Sequence, residues 1–226
     1  MLAFAARYAA PRIALASPAA VSPHRRSLLA STACLLALST FSRPVLASAT
    51  EFSSDMASLE QAKIIPDILD RVSAASQAQL VVEFQGKAVQ HGELLTPAAT
   101  KSAPVARVKG GAEGGLFTIL CTDPDPPDPA APKFREWLHW IVANVPSGGD
   151  STQGQTVTPY RGPSPPIGTH RYVFMLFQQP NQEPLQLSDP SGGDPMARRA
   201  SFSTRKFAAA HSLGDPVAVT WFNAHK

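Results

Sequence analysis

The sequence predicts a mainly β protein: a β sandwich with a central, antiparallel-rich sheet and a few short peripheral helices. Three observations carry this. Apolar, β-rich runs of strand length recur at residues 80–84, 105–108, 116–122, 137–145, 172–178 and 217–222. Proline brackets the runs at 116–122, 137–145 and 172–178, which are almost continuously apolar and therefore expected at the centre with both faces covered. Helical signals are sparse, and neither an internal repeat nor a coiled-coil heptad is present.

The first 49 residues stand apart. They hold five arginines (Arg7, Arg12, Arg25, Arg26, Arg43) and no acidic residue; the first acid is Glu51. Residues 1–23 have the Ala-, Arg-, Ser- and Pro-rich composition of an organelle transit peptide. Arg25-Arg26, the apolar residues 28–38 and the small-x-small site Ala47-Ser48-Ala49 then read as a twin-arginine export signal. That apolar stretch is too short to cross a bilayer, which takes about 18–20 residues. The arrangement predicts a cleaved presequence and a plastid address, in its narrower form the thylakoid lumen. A secretory signal with a long n-region and a mitochondrial presequence are the alternatives. Removing this segment leaves 15 basic against 17 acidic residues, so the net charge of +3 becomes −2. The basic character belongs to the address and gives no reason to expect a nucleic-acid partner.

Residues 50–62 read as a flexible lead-in and residues 63–226 as the folded domain. A short helix is expected over 67–72, after Pro66. The strand at 80–84 ends in the turn residues Gln85-Gly86-Lys87, and the one at 105–108 precedes a Gly-rich turn at 110–115. Residues 147–158 and 188–200 read as polar surface loops. Ser203 or Thr204 is suited to cap a short helix through Phe207 and His211, closed by Gly214 and Pro216. Cys34 lies in the removable segment and Cys121 in an apolar run, so no disulfide is expected and Cys121 reads as a small buried hydrophobe.

Chemistry concentrates where proline-rich loops meet two of the central strands. One loop is Asp123-Pro124-Asp125-Pro126-Pro127, leading to Arg135-Glu136-Trp137-Leu138-His139-Trp140; the other is Gly162-Pro163-Ser164-Pro165-Pro166-Ile167-Gly168-Thr169-His170-Arg171-Tyr172. Proline fixes its own φ and restricts its predecessor, so such loops hold a shape without a ligand. Asp123 and Asp125 also satisfy ordinary proline-turn chemistry. Strand alternation puts His139 on the face of Trp137 and Ile141, where a lone histidine is often a core residue. A second histidine, His170, entering a strand after a rigid loop favours a site. Two imidazoles with fixed donors suit an anion, and aspartates beside them set tautomer and charge. Arg171 is expected to point away from its neighbours and to pair with a loop carboxylate or backbone carbonyl.

These segments resemble the phosphatidylethanolamine-binding protein family, which includes the Raf kinase inhibitor proteins and the florigen-like plant regulators. Further matches are Ile65-Pro66-Asp67-Ile68-Leu69-Asp70, Phe202-Ser203-Thr204-Arg205-Lys206-Phe207 and Pro216 to Asn223, so the resemblance spans about residues 57–226. It implies a cavity that binds phosphoryl-type anions through Asp123, Asp125, His139 and His170, lined by Pro127, Gly162 and Tyr172. It also implies cis peptide bonds at Pro126-Pro127 and Arg135-Glu136. Phe134 stands where animal members have tyrosine. Of the surface set with which florigen-type members hold a phosphopeptide adaptor, Arg199 matches, whereas Gly114 replaces an arginine and Gln153 a phenylalanine, which argues against that partnership.

Three functional readings follow. The first is a non-enzymatic binding and regulatory protein whose pocket takes a phosphorylated small molecule or phospholipid headgroup. The second is an inhibitor of a kinase or hydrolase acting through surface loops. The third, a hydrolase using His139 or His170, lacks a Gly-x-Ser-x-Gly nucleophile turn and a His-Glu-x-x-His motif. No cofactor or metal is expected, nor a transmembrane segment in the mature chain, and the expected state is a monomer.

Overall fold

The computed structural model describes residues 55–192 and 198–226; the presequence reading of residues 1–49 lies outside the described residues. Residues 55–61, read from sequence as part of a flexible lead-in, are helical, and Leu59 is buried in the core. The short helix expected after Pro66 instead straddles it as α1 (Ile64–Asp67). Ile65 is extended inside this element, consistent with proline driving its predecessor out of the α region.

Among the described residues nine strands follow, six of them where apolar runs predict them. They are β1 (Gln79–Phe84), β2 (Lys87–Ala88), β3 (Glu93–Leu94), β4 (Val105–Lys109), β5 (Leu116–Asp123), β6 (Trp137–Pro146), β7 (Gln155–Thr158), β8 (Thr169–Gln178) and β9 (Ala218–His225). Gln85 and Gly86 both take positive φ, the geometry that closes a two-residue hairpin between β1 and β2. The strand β7 corrects the expectation of a loop over 147–158. It is an edge strand paired to β6 alone, burying only Val157 and Thr158, so no apolar run announces it. The predicted cap is present: the Ser203 side chain accepts from the Lys206 amide at the start of α2 (Thr204–Ala210).

A small sheet, ordered β2-β1-β4, faces a large one ordered β3-β9-β8-β5-β6-β7. All pairings are antiparallel except β3 with β9. Alternation divides the central strands between two cores. Phe117, Ile119 and Cys121 of β5 pack with Tyr172, Phe174 and Leu176 of β8 and with Val82, Phe84 and Val108 of the small sheet. On the opposite face Leu120, Val173, Met175 and Phe177 pack with Leu59, Ile64, Ile68, Phe207 and Ala208. The large sheet is thus covered on both sides, which explains why its central strands are apolar without interruption. The functional candidates sit where this packing ends, at the C-terminus of β5 and the N-termini of β6 and β8.

Candidate functional site

The site is built around Asp123, the last residue of β5, with β6 and β8 on either side. One carboxylate oxygen accepts the Asp125 amide at 2.8 Å, which realises the turn chemistry read from sequence. The other accepts from His170 Nδ1, also at 2.8 Å. The second ring nitrogen of His170 faces the Ile167 carbonyl at 3.0 Å. Both nitrogens therefore face acceptors, and only the imidazolium donates from both. Burial pushes the His170 pKa down, but the hydrogen bond and charge of Asp123, the Ile167 carbonyl and the Asp125 charge outweigh it and leave the pKa raised. The ring is fully buried, so His170 has no free valence for a ligand.

Asp125 is likewise committed. Its Oδ2 accepts from the Arg171 amide at 2.8 Å and from Nε at 3.0 Å, and its Oδ1 accepts from Nη2 at 2.6 Å. Arg171 reaches on to the carbonyls of Ala62 and Lys63 and to the Asp67 carboxylate. All five guanidinium N–H groups thus have acceptors, and the residue fastens α1 to the sheet on the helix-covered side. Its predicted outward, structural role is met with both a carboxylate and carbonyls. Asp125 therefore supports the site through Arg171, with Arg135 Nη2 a further 3.7 Å from its Oδ1.

His139 differs from its expected placement. β5 pairs Cys121 with Trp140 and Thr122 with Leu138, which leaves His139 as the extra residue of a β-bulge. Ile141 joins the helix-side core, whereas His139 meets Tyr172 edge to face, ring centroids 5.1 Å apart, on the sandwich side. The bulge, invisible to an alternation count, re-aims the ring toward Asp123. Its Nδ1 lies 2.6 Å from the Arg161 carbonyl and donates to it. Nε2 has no partner among the described residues. Burial lowers the His139 pKa, and the Arg199 and Arg161 charges add to this against the opposing pull of Asp123 and the Arg161 carbonyl. The ring is therefore neutral at pH 7, with an Nε2 lone pair uncommitted.

Tyr172 lies beside this ring and stacks on Phe222 with centroids 5.2 Å apart. Burial, then the Asp123 charge, raise its pKa, so the phenol stays protonated. Pro127 follows a cis bond, as does Glu136, in agreement with the resemblance. Gly162 packs against the backbone of Thr100 and Lys101, whose carbonyl oxygens would lie 3.0 Å from any added Cβ. These two residues set loop shape and bring no donor side chain. The loops carry exposed apolar tips at Phe134 and Ile167.

Arg199 and Glu136 take places that the sequence does not announce. Arg199 is 3% exposed, not a surface contact. Its Nη1 donates to the Leu138 and His139 carbonyls at 3.0 Å and its Nη2 to the Pro159 carbonyl at 2.7 Å, holding the bulge from behind. Glu136 is a buried carboxyl that accepts from the Thr122 hydroxyl and from the Thr204 amide and hydroxyl, joining the end of the first loop to α2. Burial raises its pKa despite these bonds. A glutamate in a polar loop sequence carries no signal of such burial. Among the described residues, no group of three or more His, Cys, Asp or Glu side chains is arranged to hold a metal ion. A cleft of about 620 Å³ lies elsewhere, between residues 55–59, 72–81 and β9. Its lining mixes apolar residues with Asp55, Ser73, Ser76, Gln77, Gln79 and His91, and it lies apart from the histidine–aspartate cluster, so polar geometry rather than volume identifies the site.

The sequence profile of the family described as phosphatidylethanolamine-binding protein matches residues 85–222. The protein CENTRORADIALIS of Antirrhinum majus is 38% identical over 166 residues, covering 73% of this chain and 89% of the relative. TERMINAL FLOWER 1 of Arabidopsis thaliana is 38% identical over 164 residues, covering 73% and 88%. In three dimensions the carboxypeptidase Y inhibitor, seen in complex with its cognate proteinase, matches with a TM-score of 0.64 over 77% of this chain and 96% of its own. At 24% identity that likeness concerns the fold alone.

Proposed function

The chain belongs to the phosphatidylethanolamine-binding protein family, and from that premise we propose that it is a non-enzymatic regulatory binding protein whose site takes up a phosphoryl-type anion together with a proton. The carrying observation is His139. With Nδ1–H held on the Arg161 carbonyl, its one remaining valence is Nε2. A neutral ring offers a lone pair there and repels an ionised phosphoryl oxygen. Protonated, it offers a charge-assisted donor instead. Bound anion therefore raises the His139 pKa, and by linkage affinity rises as pH falls toward 6. Neither His139 nor His170 is hydrogen-bonded to a hydroxyl or thiol among the described residues, as a nucleophile–base pair requires.

The ligand classes that suit this chemistry are phosphorylated small molecules and phospholipid headgroups. We place the protein in the plastid on the presequence reading of residues 1–49. The test is calorimetric titration of the full chain with O-phosphoethanolamine and with inorganic phosphate at pH 6 and pH 8, beside His139→Ala. Binding that strengthens at pH 6 and disappears in the variant is expected. Affinity that is equal at both pH values, or that survives the substitution, contradicts the reading.

A further inference from the structure

The charged side chains described so far all have partners: Asp123 with His170, Asp125 and Asp67 with Arg171, and Arg199 with three carbonyls. Arg161 does not. Among the described residues its guanidinium makes no hydrogen bond and no ion pair, although the residue is half-buried. Its backbone is fixed on both sides. The amide donates to the His139 carbonyl at 2.9 Å, and its own carbonyl accepts from His139 Nδ1 at 2.6 Å. Just before it the Tyr160 hydroxyl donates to the Thr100 carbonyl at 2.8 Å, and just after it Gly162 abuts the same backbone. The arginine is thus anchored to the ring whose Nε2 is uncommitted. A partly desolvated cation with five unmatched donors is unfavourable unless an acceptor arrives.

We propose that Arg161 is the ligand-binding cation of this site and that, with His139, it selects a phosphomonoester over a phosphodiester. The inference rests on the anion-site reading above. A guanidinium fork engages two terminal oxygens at once, and His139 Nε2 engages a third. A monoester has three terminal oxygens and inorganic phosphate four; the diester of an intact phospholipid has two. The groups facing His139 are Asp123 from β5, Tyr172 from β8, Arg199 ahead of α2, and Arg161 itself. The Arg161 charge is among the influences that lower the His139 pKa, so truncating it should raise that pKa in the free protein. A merely structural arginine far from the ring would leave that pKa unchanged.

The test uses the full chain, titrated calorimetrically at pH 6.5 with O-phosphoethanolamine, inorganic phosphate and glycerophosphoethanolamine. Wild type is compared with Arg161→Ala, Arg161→Lys and His139→Ala, and the His139 pKa is followed by NMR in the free proteins. Alanine keeps the backbone bonds to His139, and lysine keeps the charge without the fork. We expect Arg161→Ala to weaken O-phosphoethanolamine binding about tenfold or more, Arg161→Lys to weaken it less, and the wild type to prefer monoester to diester about tenfold. Equal affinity for inorganic phosphate and O-phosphoethanolamine would mark free phosphate as the ligand; a tighter O-phosphoethanolamine would mark the phosphorylated headgroup; either supports the proposal. Unchanged binding in Arg161→Ala with loss in His139→Ala overturns the role of Arg161 and leaves the anion site standing. A diester that binds as tightly as the monoester overturns the selectivity. Absence of binding by the wild type removes the anion-site reading itself.

Discussion

His139 and His170 stand on the two strands that flank β5, and both rings are buried, yet their hydrogen-bonding states are opposite. His170 is complete: an aspartate on one nitrogen, a carbonyl on the other, and a raised pKa. His139 is incomplete: one carbonyl, one uncommitted nitrogen, and a lowered pKa. The difference lies in local backbone. A regular strand position and a closing turn enclose His170 in its own loop, while a bulge held by Arg199 turns His139 out of register toward the loop mouth. Binding capacity therefore resides in the incomplete ring, and the complete one, with Asp125 and Arg171, is the frame that holds it.

The comparison breaks most severely at the frame. Arg171→Leu leaves the buried Asp125 carboxylate with only the more distant Arg135 guanidinium, 3.7 Å away, and removes the Arg171 anchors of α1, and should cost about 3–5 kcal/mol in urea denaturation. A loss under about 1 kcal/mol would show that the network contributes no more than a surface ion pair.

Asp123→Asn comes next. Removing the charged partner of a buried imidazolium should cost about 1.5–3 kcal/mol, with a distinctive pH dependence. His170 has a folded pKa raised above its unfolded value, so its stabilisation is full below about pH 6.5 and is lost as pH rises through the folded pKa. The difference between Asp123→Asn and wild type should accordingly be larger at pH 6 than at pH 9. Equal differences at the two pH values would mean that His170 is neutral in the fold.

His139 runs the other way. Its folded pKa is depressed, so stability present above about pH 6.5 is lost as pH falls. His139→Gln should relieve that loss, improving stability relative to wild type at pH 5 compared with pH 8 by about 1 kcal/mol or less. Urea midpoints at the two pH values measure it. Smallest in reach is the helix cap. Ser203→Ala should cost about 1 kcal/mol in the same assay and leave both histidine pKa values unmoved, because the cap lies outside the site.

Much of the frame was legible in the sequence. The apolar runs marked β1, β4, β5, β6, β8 and β9 because those strands bury both faces or alternate cleanly. The outward role of Arg171 followed from period-two alternation, and the cap at Ser203 from side-chain chemistry. What escaped were features set by tertiary contact. β7 is an edge strand with Val157 as its single apolar residue, and β3 is two residues long. The leading helix at 55–61 packs Leu59 and Met56 into the core on the helix-covered side of the large sheet. At the site, the types and positions of Asp123, His139, His170 and Tyr172 were readable, but their division of labour was not. No pattern reveals a bulge at His139, an Arg199 turned inward beneath it, or a carbonyl from Arg161 that fixes a tautomer. Arg161 was overlooked because it precedes the rigid loop by one residue, and its signal is the absence of a partner.

The most direct measurement is long-range proton–nitrogen NMR of the imidazole rings through a pH titration, with and without inorganic phosphate. His139 is expected as the neutral Nδ1–H tautomer titrating below about pH 6.5 when free, shifting upward when phosphate is added, while His170 stays protonated on both nitrogens past that range. A His139 ring protonated at Nε2 in the free protein, or one whose titration is indifferent to phosphate, would contradict it.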